Sequence, residues 1–193
     1  MALVLLGSGA SMEITQTLYV TDRQAWREWL AANHATAKEI WLITYGRQSG
    51  KPGVPYLDAV EEALCFGWID GIAKKLDAER TAQRFTPRRP KSNWTELNKE
   101  RARRLIASGQ MAAAGMAVLP DLTPEAFVIP ADILAALQAD PQTWANFERF
   151  PDLYKRVRIG YIEETRKQPA VFQQWLAHFL KQTRANKMFG GMR

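Results

Sequence analysis

The feature that most constrains the fold is a change of apolar pattern at PDLTPEAFVIP, residues 120–130, where three prolines interrupt the chain. Before this segment, short β-branched and aromatic runs alternate with amphipathic stretches, which indicates strands mixed with helices. After it, apolar residues recur only at helical spacing. The sequence therefore predicts an α+β fold, with a small antiparallel-rich sheet packed against helices and a helical C-terminal part.

The same change predicts the domain organisation. We expect a tail at residues 1–11, an α+β domain at 12–118, a linker at 119–129 and a helical domain at 130–193. The apolar run Ala2–Leu6 is too short for the core of a signal peptide, and no later run approaches the length of a membrane span. With a single cysteine, which fits a reducing compartment, this predicts a cytoplasmic protein without membrane insertion.

Local patterns predict the elements of the first domain. TDRQAWREWL predicts a helix capped by Thr21, and IWLITYG predicts a buried strand. YLDAVEEALCF predicts a helix that Gly67 ends in the left-handed conformation. WIDGIAKKL and RTAQRFTPR predict two strands joined by a polar turn, and Ser92 is expected to cap the helix that follows.

In the second domain the prolines mark helix starts. Pro130, Pro141, Pro151 and Pro169 each stand where a first-turn proline belongs. The last helix carries two apolar rows, Val171, Trp175 and Phe179 on one and Phe172, Leu176 and Leu180 on the other. The pattern is typical of a small helical bundle.

Positive charge is concentrated in one part of the chain. Residues 70–107 hold 11 Lys and Arg against 5 Asp and Glu, which accounts for the whole formal net charge of +6. We therefore expect any anionic partner to bind there.

Asp70 lies within this basic segment, on a predicted strand. Alternation places Trp68, Asp70 and Ile72 on one face, so burial of Trp68 would bury Asp70 as well. A buried carboxylate needs a partner, and we predict an ion pair with Arg84 or Arg88. This pair is either a structural salt bridge or part of a pocket whose arginines bind an anionic ligand. In either case Asp70→Ala is predicted to cost about 3–5 kcal/mol of unfolding free energy.

The pocket interpretation names the candidate ligand-binding residues. Aromatic walls, forked arginine donors and polar residues at the hairpin exit would together bind an anionic small molecule or a protein partner. The candidates are Trp68, Asp70, Arg84, Phe85, Thr86, Arg88, Lys91, Ser92 and Trp94.

Two other functions stay open. Residues 84–104 interleave cations with Trp94, a pattern that also occurs in nucleic-acid-binding proteins, although Glu96 and Glu100 interrupt it. An enzyme is the second alternative, without an identifiable catalytic set. Cys65 is expected to be a buried apolar residue, because a helix C-terminus disfavours a thiolate. One cysteine and two histidines are too few for a structural zinc site, and the sequence indicates no cofactor.

Several strings resemble the YdeI/OmpD-associated, or bacteriocin-protection, family. They are NHATAKEIWLITYG, AVEEALCFGWIDG, RFTPRRPKSNWTELNKERARRLIASG and YIEETRK, with Gly71 where the family usually has Ser. The motif positions are Cys65, Gly67, Trp68, Asp70, Phe85, Thr86, Pro87, Arg88, Lys91, Ser92 and Trp94. The resemblance implies a role in tolerance to bacteriocins or other envelope stress, with no reaction or cofactor attached to it.

Overall fold

The structure is a computed structural model that describes residues 13–90, 92–123 and 127–191. These residues contain a four-stranded mixed sheet and eight α-helices, with only helices in the C-terminal part. The α+β prediction is therefore confirmed. The predicted tail at residues 1–11 and the candidate Lys91 lie outside the described residues.

The chain forms two compact units, each built from two segments. We call the described residues of Met1–Ala63 and Trp68–Pro87 the sheet unit, and those of Leu64–Gly67 and Arg88–Arg193 the helical unit. The domain boundary at residues 119–129 stays a prediction.

The sheet unit is organised around strands in the order β1-β2-β4-β3, in which β1 is parallel to β2 and the other neighbours are antiparallel. The strands are β1 (Thr17–Leu18), β2 (Ile40–Tyr45), β3 (Trp68–Lys75) and β4 (Arg80–Pro87). Helices α1 (Arg23–Asn33) and α2 (Tyr56–Cys65) accompany them. The strand and hairpin predictions are confirmed, whereas β1 is too short to show a pattern.

Both faces of the sheet are partly buried. Phe85 on one face packs against Trp26 of α1, with ring centres 5.3 Å apart. The opposite face holds a cluster of Trp41, Ile43 and Ala82. Because each large apolar side chain contributes about 1.5–3 kcal/mol on full burial, these two clusters hold the strands in one register.

The N-cap of α1 differs from the prediction by one residue. The Asp22 carboxylate accepts a hydrogen bond from the Ala25 N–H at 2.9 Å, and the Thr21 hydroxyl donates to the same carboxylate at 3.1 Å. The hydrogen bond from Ala25 lowers the pKa of Asp22. A carboxylate accepts from backbone N–H groups more strongly than a hydroxyl does, which explains the choice of cap.

The helical unit contains six of the helices. They are α3 (Glu96–Ala107), α4 (Ala113–Met116), α5 (Ala131–Gln138), α6 (Pro141–Arg149), α7 (Asp152–Glu164) and α8 (Pro169–Arg184). Pro141 and Pro169 occupy first-turn positions as predicted, whereas Pro130 and Pro151 lie one residue earlier, at the N-cap. The start of α3 is also shifted, because Thr95 and not Ser92 caps it, accepting from the Asn98 N–H at 3.1 Å.

Two glycines allow backbone segments of the helical unit to approach closely. Gly67 has φ +75°, which confirms the predicted left-handed residue, and a Cβ there would lie 2.9 Å from the Ala114 carbonyl oxygen. A Cβ on Gly115 would overlap the Cys65 carbonyl oxygen. That carbonyl also accepts a hydrogen bond from the Ala112 N–H at 3.1 Å, so α4 is held against residues 64–67 by backbone contacts.

The buried side of α8 combines residues from both predicted rows. Its buried residues are Phe172, Leu176, Phe179 and Thr183, whereas Trp175 keeps 48% of its surface exposed. A helix of 3.6 residues per turn drifts away from a strict i+4 row, which moves Trp175 out of the core.

Candidate functional site

A register shift in the β3–β4 hairpin sets the surroundings of Asp70. Asp70 lies opposite Phe85, but Ala73 lies opposite Gln83, so Gly71 and Ile72 together oppose one residue. Such a β-bulge reverses the alternation of side chains beyond it. Ala73, and not Ile72 as predicted, therefore shares the face of Asp70.

Asp70 forms a hydrogen bond with a phenol and no ion pair with Arg84. Its carboxylate is half-buried and accepts from the Tyr56 hydroxyl at 2.6 Å. Arg84 lies opposite Trp41, on the other face of the sheet from Asp70. The predicted Asp70–Arg84 pair is therefore wrong.

Arg84 instead bonds to Glu39. The Arg84 Nε donates to the Glu39 carboxylate at 2.7 Å, and its Nη2 donates to the same oxygen. The Thr15 hydroxyl also donates to this carboxylate, and with Arg84 it lowers the pKa of Glu39. Arg84 is thus part of a polar network beside the sheet.

The two aromatic candidates of the sheet unit are core residues. Trp68 is 1% exposed, its indole N–H donates to the His34 carbonyl at 3.2 Å, and Trp29 meets it edge-on. Phe85 is fully buried against Trp26. These contacts explain both side chains without a ligand, and ligand binding by them and by half-buried Thr86 stays a prediction.

The helical unit brings three other candidates together around one cavity. Arg88, Ser92 and Trp94 line a cavity of about 430 Å³, with Arg89 and Ala117–Pro120 among the other lining residues. The Arg88 guanidinium carbon lies 3.8 Å from the centre of the Trp94 ring, and its Nη1 donates to the Asn93 carbonyl at 3.3 Å. We call this space the basic cavity.

The stacked pair is held firmly in place. Arg88 is only 6% exposed, and its backbone N–H donates to the Gly67 carbonyl at 2.9 Å. A guanidinium over an indole gains about 1–2 kcal/mol when it is desolvated. The described residues that line the basic cavity include no carboxylate, so its electrostatic character is positive.

Trp94 also borders a second cavity, of about 550 Å³, that carries carboxylates. Glu164 lines it and accepts a hydrogen bond from the Asn93 amide at 3.3 Å, and partial burial raises its pKa. Glu96 lines it as well and forms an ion pair with Lys99 at 2.7 Å. Arg166 and Lys167 line this cavity as well. The sequence prediction missed it, although Glu163 and Glu164 stand together in the YIEETRK string.

The cations of residues 84–104 are largely engaged within the fold. Lys99 bonds to Glu96 at 2.7 Å, and Arg103 bonds to Glu100 at 2.7 Å. Arg101 is buried and donates to the Asn98 side chain at 2.8 Å. These contacts reduce the number of cations that the segment offers to a phosphate backbone.

Other chemistry is limited within the described residues. Cys65 is buried and forms no disulfide, as expected for a small apolar residue. No group of three His, Cys, Asp or Glu side chains there could hold a metal ion. None of the described helices is long and apolar enough to cross a membrane.

Two family models match the chain, in separate ranges. The model described as "Bacteriocin-protection, YdeI or OmpD-Associated" matches residues 126–186, which confirms the predicted family. The model described as "Domain of unknown function (DUF8412)" matches residues 18–118. Most strings that carry the resemblance lie in residues 18–118, and only YIEETRK lies in residues 126–186. No match is found among curated proteins or solved structures.

Proposed function

We propose that this chain, which belongs to the family of a domain of unknown function (DUF8412) through residues 18–118, supports tolerance to bacteriocins or related stress. The match of residues 126–186 to the bacteriocin-protection, YdeI or OmpD-associated family supports this role. We propose that the chain acts by binding an anionic small molecule. The proposed binding site is the basic cavity. The mechanism is recognition of the anion by Arg88, Arg89 and Ser92, with no chemical step.

One observation carries this proposal. Two arginines line a cavity of about 430 Å³ whose described walls contain no carboxylate. The volume lies in the range of about 300–1,000 Å³ that small-molecule sites occupy. Exposed Arg89 and half-buried Ser92 offer hydrogen-bond donors. The Arg88–Trp94 stack adds a positive charge fixed in a low-dielectric wall, where attraction of an anion is stronger than in water.

Isothermal titration calorimetry on the full chain tests the site, with pyrophosphate and citrate as probes. Arg89→Gln removes one exposed donor of the cavity, so we expect binding about tenfold weaker, the effect of one charge-assisted hydrogen bond. Arg149→Gln is the matched control, because Arg149 is exposed in α6 and does not line the cavity. Equal affinities for both variants, or no heat with either probe, would contradict the proposal.

The cellular role requires its own test. A strain without this gene should become more sensitive to bacteriocins, and the wild-type gene should restore tolerance, whereas the Arg89→Gln gene should restore less. We propose a cytoplasmic location, and cell fractionation should recover the protein with the cytoplasmic proteins. If the Arg89→Gln gene restored tolerance fully, the role in tolerance would not depend on anion binding in the basic cavity.

Nucleic-acid binding through residues 84–104 is the rival function, and a gel-shift series separates it from the first. Phosphate contacts release counterions, so binding to duplex or single-stranded DNA would be tight at low salt and would fall steeply at higher salt. Because the fold engages Lys99, Arg101 and Arg103, we expect no shift at either salt concentration. A salt-sensitive shift that Arg89→Gln weakens would favour the rival.

A further inference from the structure

Arg158 of α7 is a buried cation without an anionic partner in the described part of the chain. Its side chain is 8% exposed. Its Nη2 donates to the Gly191 carbonyl at 3.0 Å, and its Nε has no hydrogen-bond partner among the described residues. Burying a charge without a counter-ion costs several kcal/mol, so this arrangement calls for a physical reason.

Aromatic rings surround the guanidinium and supply part of that reason. Its carbon lies 5.7 Å from the ring centre of Tyr154, 5.3 Å from that of Tyr161 and 5.4 Å from that of Phe189. Cation–π contacts of this kind contribute about 0.5–2 kcal/mol each. The rings leave the Nε proton without an acceptor, and a carboxylate would supply one.

A cavity of about 250 Å³ opens beside this group. It is lined by Arg158, Tyr161, Ile162, Thr165, Trp175 and Phe189. The Thr165 hydroxyl donates to the Ile162 carbonyl, so apart from the arginine the walls are mostly apolar. Trp175 and Tyr161 are 48% and 38% exposed, which is unusual for large apolar side chains at the edge of a bundle core.

The C-terminal segment covers the guanidinium, with Gly190 packed closely against it. The Phe189 N–H donates to the Tyr154 hydroxyl at 3.3 Å, and Gly191 supplies the carbonyl that Nη2 contacts. Nε and Nη2 form one edge of a guanidinium, the edge that binds a carboxylate through two parallel hydrogen bonds. A ligand carboxylate would satisfy Nε and replace one neutral carbonyl by an anion.

We propose that the Arg158 cavity binds a small aromatic monocarboxylate. The carboxylate pairs with the Nε and Nη2 edge of Arg158 in place of the Gly191 carbonyl, and the ring lies between Trp175, Tyr161 and Ile162. The volume of about 250 Å³ limits the ligand to less than a drug-sized molecule. This site shares no lining residue with the basic cavity and does not depend on the function proposed for it.

Benzoate is the probe, and benzamide is its neutral analogue of the same shape. In calorimetry with the full chain we expect benzoate to bind at least about tenfold more tightly than benzamide, because only the anion forms an ion pair and offers two acceptor oxygens to Nε and Nη2. Arg158→Gln should abolish this preference. Arg149→Gln, the matched exposed arginine of α6, and Arg89→Gln should leave it unchanged.

Two further measurements keep the test sharp if Arg158→Gln does not fold. Trp175→Ala alters a half-exposed wall and should weaken benzoate binding about two- to tenfold, the range of one aromatic contact. Benzoate should also speed hydrogen exchange at the Phe189 N–H, because Gly191 is displaced. Equal affinities for benzoate and benzamide would overturn the site. So would benzoate binding that Trp175→Ala does not weaken and that leaves the exchange rate of the Phe189 N–H unchanged.

Discussion

At the scale of single residues, the Asp70 carboxylate is stabilised by one hydrogen bond from Tyr56, whose side chain is 54% exposed. A hydrogen bond this close to solvent contributes about 1 kcal/mol or less. We therefore expect Asp70→Ala to lower the unfolding free energy by about 1 kcal/mol in urea titrations. Tyr56→Phe removes the same bond from the donor side and should cost the same. A loss near 3–5 kcal/mol for Asp70→Ala alone would show that the carboxylate has a stronger partner.

Partner choice is the part of the site that the sequence could not determine. Alternation correctly places Asp70 on the face of Trp68, but charge alone cannot distinguish Arg84 from a phenol 14 residues away. The strand register decides the partner, because it places Arg84 on the face of the sheet opposite to Asp70. On that face Glu39 accepts the hydrogen bonds of Arg84. The bulge at Gly71 and Ile72 also reverses which face of the sheet the following side chains occupy, and a strict alternation of faces along the sequence cannot predict this.

At the scale of elements, the start of α3 offers a direct comparison of two hydroxyls. Thr95 accepts from the Asn98 N–H, whereas Ser92 lies outside the helix. Thr95→Ala should cost about 1 kcal/mol, because it leaves a first-turn N–H without its acceptor. Ser92→Ala should leave the unfolding free energy almost unchanged. Equal losses in chemical denaturation would show that both hydroxyls contribute to the cap.

The packing of α4 depends on a missing side chain. A Cβ on Gly115 would overlap the Cys65 carbonyl, which is backbone, and also the Met111 side-chain sulfur. We expect Gly115→Ala to cost about 1–3 kcal/mol or more, since the backbone has to shift. Gly53→Ala is the control, because nothing lies within 4 Å of its Cβ position. A thermal shift for Gly115→Ala no larger than that control would contradict the close approach.

Element types were more predictable than their ends. The segments that begin at Ile40, Trp68 and Arg80 correctly predict strands, because burial on a pleated surface selects the β-branched and aromatic residues that they contain. Helix starts depend on which of several adjacent polar side chains reaches a free N–H, and the sequence names Thr21 where the structure uses Asp22. The exposure of Trp175 likewise depends on which neighbouring helices contact α8.

At the scale of the whole molecule, lowered carboxyl pKa values predict acid sensitivity. Hydrogen bonds from backbone N–H groups, hydroxyls or basic side chains lower the pKa of seven described carboxyl groups: Asp22, Glu39, Asp77, Asp121, Asp132, Asp140 and Asp152. A lowered folded-state pKa contributes stability above the unfolded value of about 4, and the contribution is lost as pH falls through the folded value. The melting temperature, measured by thermal unfolding at a series of pH values, should therefore decrease as the pH is lowered below about 4.

Glu164 should act in the opposite direction, because partial burial raises its pKa. Its charged form is less favourable in the folded chain, so its contribution to stability improves as pH falls through that raised value. Glu164→Gln should raise the melting temperature slightly at pH 7 and have no effect at pH 3. Glu79→Gln, at an exposed position in the sheet unit, is the control. A Glu164→Gln effect that is equal at both pH values would not arise from ionisation.

The matched sequence families and the compact units divide the chain at different places. The family matches end at residue 118 and begin again at residue 126, whereas the helical unit includes α3 and α4 together with α5–α8. Within that unit, Arg156 of α7 lies 3.5 Å from Glu96 and 3.7 Å from Glu100 of α3. Removing residues 119–193 would take away Arg156 and leave both carboxylates of α3 without it.

We therefore expect residues 1–118 alone to unfold at a lower temperature than the full chain, with early loss of helical circular dichroism. The full chain carrying Arg156→Gln is the control, because it removes the same ion pairs and keeps the helical bundle. If the ion pairs of Arg156 were the only stabilising contacts between α3 and α7, the fragment and the Arg156→Gln chain would have the same melting temperature. Since α3 also packs along α7 within the helical unit, we expect the truncated chain to be the less stable. A fragment as stable as the whole chain would place an independent folding boundary at residues 119–129.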